Sequence, residues 1–359
     1  MKKFFRRSML TAIASFGLVF VTACGGSESS APAGNDDSGS VGDAGETVEY
    51  QDAPSTVVIG TASQGGVYYI YGGGLGHLLE SKLGVTANVE VTGGPVDNIR
   101  LIEAGDQDLG MITTGPGYEA INGVGTEFEG NPHDDIRVVF PMYYTPFHWW
   151  ALESSGVASL DDMAEKGIGR TGVGPMGGTS GTYLPQIHEL LGLNASPVYA
   201  GAGDMTSQQQ DGQLDVIGFA AGLPIPAVQE VAALRDINLF GIDGEQRDQV
   251  IENFPFFTPY TIEAGTYENI EHDDIETIAQ FNFGIVHKTM NIDFVYDLVK
   301  SYHENNDLLV TTHSSAKEAV EEAILLNEVV PLHPGAIKYY EEIGIDLPET
   351  VYPAEYQNE

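Results

Sequence analysis

The chain has 359 residues, with 52 acidic against 15 basic side chains, a formal net charge of −37 and one cysteine. So negative a surface repels nucleic acid and anionic lipid faces, which excludes both as partners of the folded body. With Cys24 as the sole cysteine, the body has no disulfide, no thiolate metal site and no cysteine nucleophile.

Lys2, Lys3, Arg6 and Arg7 give a positive start, and Met9 to Val21 is an apolar run of signal-peptide length. Val21-Thr22-Ala23-Cys24 closes it like a bacterial lipobox, so residues 1–23 are expected to be removed and Cys24 lipidated. An ordinary signal peptide with an incidental cysteine is the alternative. Arg6-Arg7 also leaves the twin-arginine route open beside the general one. Cleavage would take the net charge from −37 to −41 by removing four positive residues and no acidic one. Self-repulsion at that density calls for screening; at 1 M salt the Debye length is about 3 Å. A salty external medium follows as an expectation, with an ordinary habitat as its alternative. Residues 24–55 are rich in Ser, Gly, Ala, Asp and Glu and read as a flexible acidic tether. Beyond it, no stretch approaches the roughly 20 apolar residues of a spanning helix.

The body then repeats one pattern twice. Val57 to Gly60 is a strand, Thr61 to Gly66 a loop, and Val67 to Leu83 a helix. A second strand, Val85 to Val91, leads through Thr92-Gly93-Gly94 to Pro95, which suits the first turn of a helix. That helix ends at Gly105, and Asp108 opens the strand Leu109 to Thr113. Later, Ile168 to Val173 is a strand, and Gly174 to Gly181 a Gly-rich loop before a helix to Leu191. Pro197 to Ala200 is strand-like, a helix around Met205 to Gln210 ends at Gly212, and Asp215 opens Val216 to Phe219. Alternating strand and helix implies parallel sheet flanked by helices, and two such units imply two lobes. Ligands of open α/β sheets bind beyond the carboxyl ends of the strands, so both Gly-rich loops should line one cleft.

A Gly-rich turn brings backbone N–H groups close to a ligand, and at a helix N-terminus those groups lack an intrahelical partner. Such a site holds a carboxylate or phosphate without a cationic side chain. Ser63, Thr92, Thr113, Thr114, Thr179 and Ser180 add hydroxyls around these loops. Other motifs fail in detail. Gly172 to Gly177 spells GxGxxG after a strand, but no acidic residue follows about 20 residues on. There is no P-loop, the nine histidines lack metal-ligand spacing, and neither Ser63 nor Ser180 sits in GxSxG. His148-Trp149-Trp150 reads as buried strand near a lobe crossover. Asp108 and Asp215 read as structural openers of strands, so no catalytic residue, cofactor or metal is expected.

Several blocks together resemble the TAXI group of extracytoplasmic receptors that serve TRAP transporters. They are Ile59 to Tyr69, Thr92 to Leu101 followed by Gly105 and Asp108, Gly218 to Ala227, Phe256 to Ile262 with Ala264 to Tyr267, and Pro331 to Tyr340. The matches run in order from about Val57 to Ile345. The resemblance implies a type II periplasmic-binding-protein fold: two α/β lobes with mixed sheets flanked by helices, and a ligand cleft between them. It places lobe I at 56–146 and 259–359 and lobe II at 147–258, with crossovers near Tyr144–Phe147 and Phe254–Pro259. Carried onto this chain, it implies solute contacts at Ser63, Gly65, Gly66, Tyr68, Thr92, Gly93, Asn98, Thr113, Thr114, Thr179, Ser180, Gly181, Gly222 and Pro224. Tyr143 and Tyr260 could pack against the solute or belong to the core. The chain departs from the family where Pro95 replaces Ser and where Thr113-Thr114-Gly115 replaces Gln-Ser-Asp. The second change removes an acid that would hold an amino group, which leaves room for a plain carboxylate. The implied protein is an exported, lipid-anchored monomer, not an enzyme, that hands a small organic solute to sodium-coupled TRAP membrane subunits. A binding protein of an ATP-driven importer, a sensor receptor and an enzyme on a related fold are the alternatives.

Overall fold

The computed structural model describes residues 49–356. The expected signal peptide, the lipidated Cys24 and most of the tether lie outside that range.

The first half begins with β1 (Thr56–Gly60), α1 (Val67–Leu78), β2 (Thr86–Glu90), α2 (Pro95–Ala104), β3 (Leu109–Thr113) and α3 (Thr114–Asn122). A short α4 (Gly125–Phe128) precedes β4 (Ile136–Leu152), a strand of 17 residues. Next come α5 (Leu160–Lys166), β5 (Arg170–Gly174), α6 (Thr179–Leu190), β6 (Ser196–Tyr199), α7 (Ala202–Gln210) and β7 (Val216–Ala220). The later strands are β8 (Ile237–Phe240), β9 (Thr258–Ile262) and the long β10 (Ile275–His287).

The strand order is β2-β1-β3-β10-β4-β7-β5-β6, with β8 on β4 and β9 on β10. Strand β1 pairs in parallel with β2 and β3, and β5 with β6 and β7. The two repeated units of the sequence are therefore two parallel three-stranded sets. They are joined by antiparallel strands: β4 pairs with β10 from Ile136 to Pro146, then with β7 from Phe147 to Ala151. One strand thus runs through both sets, and its pairing partner changes at Pro146–Phe147.

The elements end where glycine chemistry stops them. Gly105 closes α2 with φ 76°, its N–H returning to the Ile102 carbonyl as the helix C-terminal rule predicts. The strand-opening acids are structural. Asp108 Oδ2 accepts from the Val58 N–H at 2.8 Å, and Asp215 pairs with Arg170 at 3.4 Å. Trp149 and Trp150 are fully buried on β4, as the aromatic run implied. One core joins the first set and its helices, including Ile292–Glu304 and Pro334–Glu342, to Met205, Ile217 and Phe219 of the second set, while Phe147, Trp149, Tyr183 and Leu184 build another under β7 and α6.

Candidate solute-binding site

The two Gly-rich turns meet. The Val96 N–H donates to the Gly177 carbonyl at 3.1 Å, and the Gly203 N–H to Gln64 at 3.4 Å. Gly94 has φ 123°, and a Cβ built on it would fall 2.9 Å from Gly178 Cα. Only a residue without a side chain fits between these backbones. Gly65, with φ 84°, is wedged in the same way against the Gly203 amide.

Between the turns lies a cavity of about 40 Å³. It is lined from the first set by Ser63, Gly66, Tyr68, Gly93 and Pro95, and from the second by Pro175, Gly178, Thr179, Ser180 and Phe219. Gly66 and Gly178 are the N-caps of α1 and α6, so the opening N–H groups of both helices, which lack intrahelical acceptors, border this space. The Thr113 and Thr179 hydroxyls lie 3.0 Å apart, and Ser63 Oγ accepts from the Ala202 N–H at 3.4 Å. Each of these bonds spans the two parallel sets.

The other expected contacts have different places. Thr92 accepts from the Gly94 N–H and donates to the Thr61 carbonyl in the loop after β1, and the fully buried Asn98 amide donates to the Thr61 and Met111 carbonyls. Both brace the first turn from behind. Gly181 lets α6 lie on Pro175, where a Cβ would meet the carbonyl oxygen at 2.0 Å. Gly222 packs against Tyr143, and the Pro224 carbonyl accepts from His313. Thr114 lines a different space, a cavity of about 370 Å³ walled by Tyr118, Tyr144, Phe256, Phe281 and Phe283. That larger cavity touches neither Gly-rich turn. Its walls carry no matched pair of helix starts, so the smaller seam is the better place for a polar solute. Tyr143 is wholly buried, and Tyr260 lies beside Tyr144 with ring centroids 5.5 Å apart.

The floor of the seam comes from residues outside the loops. Thr145 on β4 lines the cavity, and Asn282 on β10 stands behind it. The Tyr68 hydroxyl donates to Asn282 Oδ1 at 2.6 Å, while Asn282 Nδ2 donates to Thr145 Oγ1 at 2.6 Å and to the Tyr143 carbonyl. Gln280, across the ladder from Thr145, accepts from the Gly115 N–H at 3.0 Å. A sequence signal for these three exists: Gln280 and Asn282 alternate with Phe281 and Phe283, and Thr145 interrupts an aromatic strand. Polar side chains on one face of an otherwise apolar strand need partners, and a site supplies them.

Several buried titratable groups are shifted by burial. Burial pushes the Glu119 carboxyl on α3 up to about 7, Glu127 adds to the rise, and the Tyr183 hydroxyl from α6 opposes it. The unfolded chain ionises Glu119 near its ordinary value, 4.5, while the folded chain holds it neutral. Its contribution to stability is therefore full below about pH 4.5 and is lost as pH rises through 7. Glu119→Gln should raise the melting temperature more at pH 8 than at pH 5, by the equivalent of about 1–3 kcal/mol. Equal effects at both pH values would show that Glu119 is ionised in the fold. Burial holds His148 and His188 down near 4, and His188 Nε2 accepts from the Trp149 indole at 3.0 Å. They are neutral core groups. Among the described residues no three His, Cys, Asp or Glu side chains gather as metal ligands.

Residues 59–344 match the profile of the NMT1-like family. The chain belongs to that family. In fold it is similar to the periplasmic binding protein BugD, at 14% identity over 83% of this chain and 100% of that one, with a TM-score of 0.54. It is equally similar to MatC from Rhodopseudomonas palustris with bound malate, at 14% identity over 80% and 96% of the two chains and a TM-score of 0.54. The architecture is thus the two-lobed type II periplasmic-binding-protein fold that the resemblance implied. The parallel sets around β1–β3 and β5–β7 face each other across the seam.

Proposed function

We propose that this protein is an extracytoplasmic receptor that captures a small organic solute carrying a carboxylate, by closing its lobes, and delivers it to a membrane transporter. The observation that carries this reading is the pair of helix starts, Gly66–Tyr68 and Gly178–Ser180, facing one cavity from opposite lobes. Amide donors at two helix N-termini neutralise a carboxylate without Lys or Arg. Solute would bind one lobe and shift an open–closed equilibrium, because its second set of contacts exists only in the closed form. The polar groups of the lining are hydroxyls and amides set among Val67, Phe219, Ala220 and Ala221, with no carboxylate–imidazole pair, which is the chemistry of holding a solute and not of transforming it. The malate in MatC supports a carboxylate as the kind of group held.

The finer assignment rests on the TAXI-like blocks. In it, lobe I comprises 56–146 and 259–359 and lobe II 147–258, the partner is a sodium-coupled TRAP permease, and a lipid on Cys24 holds the monomer at the outer face of the cytoplasmic membrane or in the periplasm. A gene for a large multi-spanning TRAP permease beside this one supports that partner; genes for an ATPase and its permease would favour an ATP-driven importer. Thr179→Ala with Ser180→Ala should weaken solute binding by roughly 1–3 kcal/mol for each lost buried partner. Isothermal titration in high salt, to screen the −37 charge, measures it. Unaltered affinity in the double variant would remove the second lobe from the site.

A further inference from the structure

The direction of the hydrogen bonds around the seam says more about the solute than its shape does. Asn282 Oδ1 accepts from the Tyr68 hydroxyl, so Nδ2 is the donor side of that amide, and it donates to Thr145 Oγ1. Thr145 has thus accepted on its oxygen, and its own hydrogen is left for the cavity that it lines. Ser63 is in the same state: its Oγ accepts from the Ala202 N–H, which leaves its hydrogen free. Gln280 repeats the pattern one step deeper. Its Oε1 is held by the Gly115 N–H, and its fully buried Nε2 has no partner. Added to the two helix starts, the seam offers donors from the floor and from both walls.

Acceptors are scarce by comparison. Tyr68, which lines the space, is neutral and gives its hydrogen to Asn282. No carboxylate lines it, and the nearby Asp97 accepts from the Gly93 N–H at 3.0 Å. An ammonium has three donors to satisfy and leaves a costly buried charge when they are unmet. At about 40 Å³ the space is far smaller than the cavity of about 370 Å³ beside Thr114, which favours a short solute.

Building on the receptor reading above, we propose that the site selects a short monocarboxylate without an amino group, with an oxo group or nothing beside the carboxylate. Thr145, oriented by Asn282, is a specificity-determining donor. The polarity that welcomes a carbonyl oxygen is the polarity that rejects an ammonium in the same position.

Pyruvate and alanine share a skeleton and differ at that one position, so they test the idea on the full chain in high salt, alongside propionate, malate and adipate. Pyruvate or propionate should bind at least about tenfold more tightly than alanine by isothermal titration, and more tightly than malate or adipate. Thr145→Val should weaken pyruvate binding about tenfold, and Thr145→Ser should restore it. Alanine binding as well as pyruvate, or malate or adipate binding best, overturns the proposed class while leaving a carboxylate receptor in place. Wild-type pyruvate affinity in Thr145→Val overturns the role of Thr145. If none of the five compounds binds, the class and the carboxylate reading fail together.

Discussion

Gly94→Ala is expected to lower solute affinity about 10- to 100-fold, a loss of about 1.4–2.8 kcal/mol. Gly94 has φ 123° and ψ −151°, a backbone region essentially reserved for glycine, so alanine is strained there in any lobe arrangement. That part of the cost lowers stability and not affinity. The second part arises only on closure, because the added Cβ would lie 2.9 Å from Gly178 Cα on the opposite lobe. It also pushes apart the Val96 N–H and Gly177 carbonyl, which meet at 3.1 Å. Thermal melts of the unliganded protein report the first cost, and titration with the best-stabilising carboxylate reports the second. Wild-type affinity in a folded Gly94→Ala protein would mean that the two turns do not meet around the solute.

Asn282→Leu should be the most destabilising single change near the seam. The side chain is fully buried and completes three bonds, to Tyr68, Thr145 and the Tyr143 carbonyl. Leucine is close in size but leaves the Tyr68 hydroxyl and the Tyr143 carbonyl buried and unpaired, at about 1–3 kcal/mol each. A fall of roughly 5–15 °C in melting temperature follows for a chain of this length. Asn282→Asp should not rescue it. A carboxylate can accept from Tyr68 but cannot donate to the Tyr143 carbonyl, and it adds a buried charge. A melting temperature within a degree or two of wild type for Asn282→Leu would show that this network is not what joins β10 to α1 and β4.

The pH response complements these changes. His333 is held down near 3 by burial, its Nδ1 accepting from the Gly335 N–H and its Nε2 meeting the Met290 carbonyl. A base depressed by folding loses its contribution as pH falls from its ordinary value, 6.5, toward 3, whereas Glu119 loses its contribution as pH rises through 7. The two slopes oppose each other, and Glu119→Gln removes only the alkaline one.

Local chemistry made much of the fold legible. Each parallel unit is written in contiguous sequence: a short apolar run, a glycine turn, a helical stretch, and a glycine followed by an aspartate that opens the next strand. The expected span Leu109 to Thr113 is β3 itself, and the expected helix to Leu83 is α1 continued by one wider turn, Leu79–Leu83. The turn residues Ser63, Gly66, Tyr68, Gly93, Thr179 and Ser180 were identifiable because glycines before helices carry their own physical meaning, and all six line the seam. Proximity in sequence could not separate these from Thr92 and Asn98. Thr92 lies in the turn and Asn98 in the first turn of α2, but both side chains bond back to the Thr61 carbonyl.

What the chain alone did not disclose is the join between the lobes. Strands β4 and β10 pair Thr145 with Gln280 across 135 residues, and no local periodicity encodes a partner so distant. Their aromatic runs announce burial but not the polar face turned to the seam. Only the tertiary pairing sets Thr145, Gln280 and Asn282 beneath the two helix starts. The sequence determined the glycine turns and the helix starts that follow them, because glycine and helix ends act locally. The fold decided which hydroxyls border the seam and what they bond to, because hydrogen-bond direction is settled by neighbours far away along the chain.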